Sequence, residues 1–231
     1  KNRQQITSEM KLDLIKNDIP EKVYDILKQD IKELRPAQVK AIKAGLLKGT
    51  NLLVCTPTAS GKTLLAELAG IKAILEGKGK TIYIVPLKAL ATEKFRDFKK
   101  RYGHLIKISL SIGDLDSSDS YLADYDLIIA TSEKLDSLIR HRAHWINLVA
   151  TVVVDEIHLL NDPGRGPTLE VLITLIRSLL KNLQIIGLSA TIGNPKDLAS
   201  WLGANLVEDD WRPVKLYQGV YLNGEIEFIG N

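Results

Sequence analysis

A chain of 231 residues with a single cysteine, Cys55, has no partner for an internal disulfide. That excludes the disulfide scaffolds of small secreted domains and fits a reducing interior. Cys55 stands in an apolar run and is expected to be a small buried group rather than a nucleophile. Long apolar runs are missing as well: none approaches the ~18 residues that a membrane-spanning helix needs. Residues 1–11 hold no apolar signal-peptide core. The expectation is a cytoplasmic protein with no membrane partner. Nor is one charge in large excess, with 31 basic residues against 28 acidic ones. That balance neither demands nor excludes a nucleic-acid partner, whose groove need only be locally basic.

What is present is ordinary for a soluble globular protein, 45% hydrophobic and 26% charged residues, which argues against long disorder. The length suits one large α/β domain or two small ones, and one is preferred. Leu12, Ile15, Ile19, Val23, Ile26 and Leu27, broken by Pro20, predict a short helix starting near Pro20 after a loosely structured lead. Pro36 predicts the first turn of a helix running to about residue 48, closed by Gly49. Strands are then expected at 51–55, 81–85, 107–112, 127–130, 150–154 and 183–188. Between them fall helices at 62–76, from 86 onward, at 131–142, 167–180 and 194–201, and a serine-rich loop at 114–121. This alternation predicts an α/β fold, a mostly parallel central sheet with helices on both faces. Three segments are expected: a lead and helix over 1–33, the main domain over 34–210, and a β-rich extension over 211–231.

The organising stretch is Pro57 Thr58 Ala59 Ser60 Gly61 Lys62 Thr63, between an apolar strand and a helix. A small-residue turn there points backbone N–H groups into one concavity at a helix N-terminus, a place built to hold phosphate. Gly61 permits close approach, Lys62 reaches the β- and γ-phosphates, and the Thr63 hydroxyl suits Mg²⁺. The common pattern has a glycine where this chain has Thr56, followed by Pro57.

A second apolar strand ends in Asp155 Glu156 Ile157 His158. Two carboxylates at a strand tip are costly unless used or solvated. Triphosphate hydrolysis needs both, Asp155 to hold the metal and Glu156 to orient and deprotonate the attacking water. Other positions are weaker on their own. The Gln38 amide could read the donor and acceptor of an adenine edge, or simply be solvated. Lys88, at the C-terminal end of a strand, could grip a polynucleotide phosphate, and Thr131 or Ser132 could cap a helix or meet a backbone phosphate. Ser189 and Thr191, ending a central strand, could relay the state of the γ-phosphate. His141 and His144 lack a third ligand and read as surface residues.

Taken in order, Gln38, Gly61 Lys62 Thr63, the stretch from Pro86 to Ala91, the stretch from Thr131 to Lys134, Asp155 to His158 and Ser189 Ala190 Thr191 resemble the first RecA-like domain of a superfamily-two helicase. The details of 57–63, 133–140, 165–170 and 210–214 resemble the Ski-like branch, and are most similar to the archaeal Holliday junction migration helicases. The resemblance extends from about Leu34 to Val220. It implies ATP and Mg²⁺, translocation 3′ to 5′ on single-stranded DNA, and unwinding of forked DNA in replication restart and recombination. By that resemblance Gln38 recognises adenine, and Thr58, Ala59, Ser60, Gly61, Lys62 and Thr63 cradle the phosphates. Thr63 and Asp155 hold the metal, and Glu156, Asp155 and Lys62 carry catalysis. Lys88, Thr131 and Ser132 face the DNA backbone, while His158, Ser189 and Thr191 couple the two sites.

The resemblance further implies a partner, a second RecA-like domain with an arginine finger. Such a finger contributes about 10³–10⁵ in rate, so this chain alone is expected to hydrolyse ATP very slowly. Two alternatives remain open at this point: an RNA helicase of the same branch, because backbone contacts do not separate the sugars, and a non-catalytic nucleic-acid-binding scaffold. The intact Lys62, Thr63, Asp155 and Glu156 argue against the scaffold.

Overall fold

The computed structural model describes residues 11–58, 60–113 and 119–212, together with 219–222 and 225–228 as backbone strands. Seven strands form one sheet: β1 (Leu52–Cys55), β2 (Lys80–Val85), β3 (Ile108–Ser111), β4 (Leu127–Thr131), β5 (Val149–Val154), β6 (Gln184–Ser189) and β7 (Asn205–Glu208). Their order is β3-β4-β2-β5-β6-β1-β7 and every pairing is parallel. Strands β8 (Gly219–Leu222) and β9 (Glu225–Phe228) form a separate antiparallel pair, within the stretch expected to be extended.

The seven helices that serve the sheet are α1 (Glu21–Asp30), α2 (Pro36–Lys43), α3 (from Thr63 to Leu75), α4 (Lys88–Tyr102), α5 (Ser132–Arg140), α6 (Gly166–Leu179) and α7 (Pro195–Leu202). A parallel sheet joined by helical crossovers is covered on both faces, so its strands are apolar throughout. The period-two pleat then divides the core in two. Leu52, Val54, Tyr83, Val85, Ile129, Val153, Ile186 and Leu188 pack with the first four helices. Leu53, Ile82, Ile84, Ile128, Val152, Val154 and Ile185 pack with the last three. Each such side chain contributes roughly 1.5–3 kcal/mol when fully buried. The expected α/β class, with helices on both faces, is what the chain adopts.

Four local expectations need correction. The helix begun at Pro36 stops at Lys43, because Gly45 takes a left-handed φ of 104°. A Cβ there would collide with the Thr50 side chain, so the chain turns and finishes in a 3₁₀ turn at Leu46–Lys48. The helix after the phosphate loop is not uniform either: α turns at Thr63–Ala66 and Lys72–Leu75 flank a π segment, Glu67–Ile71. At that segment Thr81 of β2 donates its hydroxyl to the Gly70 carbonyl at 3.1 Å. The described part of the lead, residues 11–19, is also ordered, with a 3₁₀ turn at Leu12–Ile15 whose end residues are buried in the first core. The helix expected from residue 86 begins only at Lys88. One strand, β7, was not anticipated; it closes the sheet edge beside β1. No helix among the described residues is long and apolar enough to cross a membrane.

Candidate functional site

Neighbouring strands in the order β4-β2-β5-β6-β1 deliver, at their carboxyl ends, Thr131–Ser132, Pro86–Lys88, Asp155–His158, Ser189–Thr191 and the 56–63 loop. The motifs scattered over more than a hundred residues of sequence therefore line one edge of one sheet, where open α/β folds bind ligands.

The phosphate loop is held by its own side chains. Thr56, which stands where a glycine is common, is fully buried and shares a 2.6 Å hydrogen bond with the Ser60 hydroxyl. Gly61 takes a left-handed φ of 83°, and a Cβ there would meet the Gln38 amide and Arg35. Lys62 donates to the carbonyls of Thr56, at 3.2 Å, and Ser189, at 2.9 Å. Burial pushes its ammonium down from the ordinary lysine range, against the opposing pull of Glu156 and Asp155. Thr58 is exposed, and Ala59 lies outside the described residues.

Gln38 sits in the first turn of α2, buried, with its amide already used within the chain. The Arg35 N–H donates to its Oε1 at 2.8 Å, and its Nε2 donates to the Gly61 carbonyl at 2.9 Å. Beyond these two bonds the amide retains a second N–H and a second lone pair. Beside it, the Arg35 guanidinium lies 5.7 Å from the Trp211 ring centroid, a pairing that no sequence motif signals.

Asp155 is fixed from three sides. Its N–H donates to the Ile84 carbonyl at 2.9 Å, its Oδ1 accepts from the Glu156 N–H at 3.0 Å, and its Oδ2 accepts from the Tyr83 hydroxyl at 2.8 Å. Tyr83 is fully buried, and burial followed by the Asp155 charge pushes its phenol far up, so it stays a donor. Glu156 adopts a left-handed backbone, φ 53° and ψ 40°, costly for a non-glycine residue. Its Oε2 lies 3.3 Å from His158 Nδ1, and the same ring nitrogen lies 3.3 Å from the Ala190 N–H. One nitrogen cannot serve both at once. Unprotonated it accepts from Ala190, and protonated it donates to Glu156. His158 thus stands between the acid pair and the Ser189–Thr191 turn.

Two residues that motif reading passed over complete the cluster. The first is Tyr83, hidden in an unremarkable β-branched strand. The second is Lys94 of α4, whose ammonium donates to Thr63 Oγ1 at 2.8 Å and stands 4.0 Å from Asp155 Oδ2. A hydroxyl and a carboxylate that converge on one cation form a hard-cation donor set. Among the described residues no group of three or more His, Cys, Asp or Glu is arranged so that it could hold a metal ion by itself. A metal here would accordingly take its remaining oxygens from substrate phosphate and water, the habit of Mg²⁺.

The remaining expected positions lie nearby. Lys88 is exposed at the start of α4. Thr131 is buried and caps α5, accepting from the Lys134 N–H at 3.4 Å, and Ser132 is buried beside it. The Ser189 hydroxyl is fully buried and donates to the Ala190 carbonyl at 2.8 Å, while Thr191 is exposed. Burial pushes the Cys55 thiol up, which suits the inert role expected of it.

Comparison with known proteins places this geometry. The chain is 54% identical over 210 residues to the ATP-dependent DNA helicase Hel308 of Pyrococcus abyssi, covering 90% of this chain and 29% of that protein. It is 56% identical over 217 residues to the Hel308 of Methanocaldococcus jannaschii, covering 90% of this chain and 18% of that one. The chain thus spans less than a third of these relatives. Among solved structures, the DUF1998 helicase MrfA bound to DNA superposes with a TM-score of 0.70 at 28% identity, over 84% of this chain and 30% of that one. The same helicase with DNA and AMPPNP gives 0.69 at 27% identity, over 84% and 29%. The DEAD/DEAH box helicase profile matches residues 35–198, a span that runs from Arg35 past Thr191 and so takes in the whole sheet edge described above. It follows that this chain belongs to the DEAD/DEAH box helicases.

Proposed function

We propose that the chain is the ATP-binding motor domain of a 3′ to 5′ DNA helicase acting on single-stranded or forked DNA in replication restart and recombination. The observation that carries this reading is the meeting of Lys62, Thr63, Asp155 and Glu156 at the carboxyl ends of β1 and β5, the two strands that flank β6. Lys62 and the backbone amides of Ser60, Gly61 and Thr63 bind the triphosphate, with Thr58 and Ala59 completing the loop. Thr63 and Asp155 hold Mg²⁺, which neutralises charge on the transferring phosphoryl group when bound. Asp155 keeps its orientation through Tyr83. Glu156 accepts the proton of the attacking water, and the left-handed turn sets where its carboxylate points. The spare N–H and lone pair of Gln38 read the adenine edge, and its bond to Gly61 ties that reading to the phosphate loop.

Hydrolysis reaches the DNA side through two contacts. Lys62 bonds to the Ser189 carbonyl, so phosphate that draws the ammonium away frees the end of β6. His158 bonds to the next residue, Ala190, so a change at Glu156 reaches the same turn. Lys88, Thr131 and Ser132 lie along the same edge and meet the polynucleotide backbone. A second RecA-like domain supplies the missing half of the site, and a cytoplasmic setting suits the lone buried thiol.

The test is binding and turnover together: ATP hydrolysis by the chain alone and with matched single-stranded DNA or RNA, alongside anisotropy titrations of both polymers. DNA is expected to bind more tightly and to raise a slow basal rate. Equal or tighter RNA binding with RNA-stimulated turnover would move the assignment to an RNA helicase.

A further inference from the structure

We propose that Lys94 is a tethered cation that holds the same Thr63 and Asp155 oxygens a metal–nucleotide complex would take, and withdraws for that complex, so that it sets how much Mg²⁺ the site needs. The inference rests on Thr63 and Asp155 being the metal-holding pair. Lys94 lies in the second turn of α4, and its ammonium reaches from that helix to Thr63, after β1, and to Asp155, after β5. Its side chain is 18% exposed and that of Asp155 is 12% exposed. An ammonium drawn this far from water loses hydration, which a single threonine hydroxyl does not restore. The carboxylate supplies the difference, and the position of the ammonium is therefore set by the same two oxygens that a metal requires.

While Lys94 is in place, a second cation at those oxygens meets like-charge repulsion at close range. The side chain also has somewhere to go. A groove of about 710 Å³ opens between α1, α3 and α4, with Thr63, Glu67, Lys94 and Asp97 on its wall. Glu67 does not draw the ammonium, because Arg101 and the Tyr102 hydroxyl already occupy both of its oxygens. Asp97 does: it is exposed, three residues further along α4, at the spacing where helix side chains pair. Rotation of the four-carbon stem suffices, and no backbone movement is needed. The α4 helix, which begins with the DNA-facing Lys88, thereby carries a side chain whose position depends on whether the metal–nucleotide complex is bound.

The experiment reads binding rather than turnover: Mg²⁺ is titrated into the full chain with a fluorescent ATP analogue, for wild type, Lys94→Met, Lys94→Gln, Lys100→Met and Lys62→Ala. Removing an internal competitor lowers the apparent requirement by the fraction of time it held the seat, so both Lys94 variants are expected to half-saturate at Mg²⁺ concentrations on the order of three- to tenfold below wild type. Lys100→Met, which lines the same groove but bonds to neither Thr63 nor Asp155, is expected to titrate as wild type. An unchanged or raised requirement in the Lys94 variants overturns the proposal. So does an equal shift in Lys100→Met, which would reduce the effect to general charge. Failure of the underlying nucleotide reading looks different, because wild type would then respond to the analogue no better than Lys62→Ala, and both would fall together.

Discussion

Lys80, the first residue of β2, and Lys62, at the helix start after the β1 loop, lie at opposite ends of one sheet and both donate to two backbone carbonyls, yet their surroundings differ in kind. Lys80, at the amino end of β2, holds the Ala123 and Tyr125 carbonyls at 2.6 Å each. Nearby at that end of the sheet, Gln184 donates to the carbonyls of Leu46 at 2.8 Å and Thr50 at 3.0 Å. These bonds close loops onto the sheet, and nothing else competes for them. Lys62, at the opposite end, has longer bonds, a pKa lowered by burial, and two carboxylates within electrostatic reach. Lys94 bonds to Thr63 at 2.8 Å and stands 4.0 Å from Asp155, the pair proposed to hold a metal. At the amino ends polar groups fasten the fold, whereas at the carboxyl ends they hold positions that a ligand can take over.

The comparison breaks most visibly at Glu156. Glu156→Gln keeps size and hydrogen bonding but removes the proposed base, so DNA-stimulated hydrolysis is expected to fall about 10²–10⁴-fold with nucleotide affinity retained. Parallel loss of binding and turnover would mean the residue shapes the loop instead. At the other end, Lys80→Ala removes the donor to two carbonyls, on the exposed Ala123 and the half-buried Tyr125, and at about 0.5–1.5 kcal/mol for each bond is expected to cost about 1–3 kcal/mol in denaturant unfolding. Its nucleotide affinity should match wild type; a drop in affinity with unchanged stability would erase the contrast between the two sheet ends. Tyr83→Phe sharpens the contrast from inside the core. It removes one hydrogen bond to Asp155, costs about 0.5–1.5 kcal/mol, and weakens Mg²⁺-dependent nucleotide binding while leaving metal-free binding alone. The smallest effect is on pH dependence. On the proposed reading the charged form of Lys62 binds triphosphate, and burial holds its pKa below the ordinary 10.5. Nucleotide affinity should therefore start to fall at a lower pH than an ordinary lysine would give, and Lys62→Arg should lose that dependence.

Much of the carboxyl edge was legible in the sequence, because its chemistry is local. Gly61 Lys62 Thr63 and Asp155 Glu156 are short contiguous strings after apolar runs, and both runs are strands. The even spread of apolar residues in those runs also gave the two-sided burial of a parallel sheet. The illegible features depend on partners outside the element concerned. Gly45 ends α2 because Thr50 stands against it, and the π segment of α3 lies where Thr81 bonds to Gly70. Neither partner can be read from a helix periodicity. Tyr83 looks like any strand aromatic until β5 is laid beside β2, and Lys94 looks like a solvated helix lysine until α4 crosses the edge of the sheet. Thr56 departs from the usual loop pattern, and only its hydroxyl bond to Ser60 shows how the loop closes without a glycine there.

The measurement that bears most directly on the account is equilibrium binding of a fluorescent ATP analogue with Mg²⁺ to the wild-type chain and to Lys62→Ala, each checked for an unchanged melting temperature. A charge-assisted contact of about 1.5–3 kcal/mol predicts affinity roughly ten- to a hundredfold weaker in the variant, with stability intact. Equal affinity in the two proteins would contradict the assignment of the 56–63 loop as a triphosphate site, and with it the reading of the whole carboxyl edge as a motor.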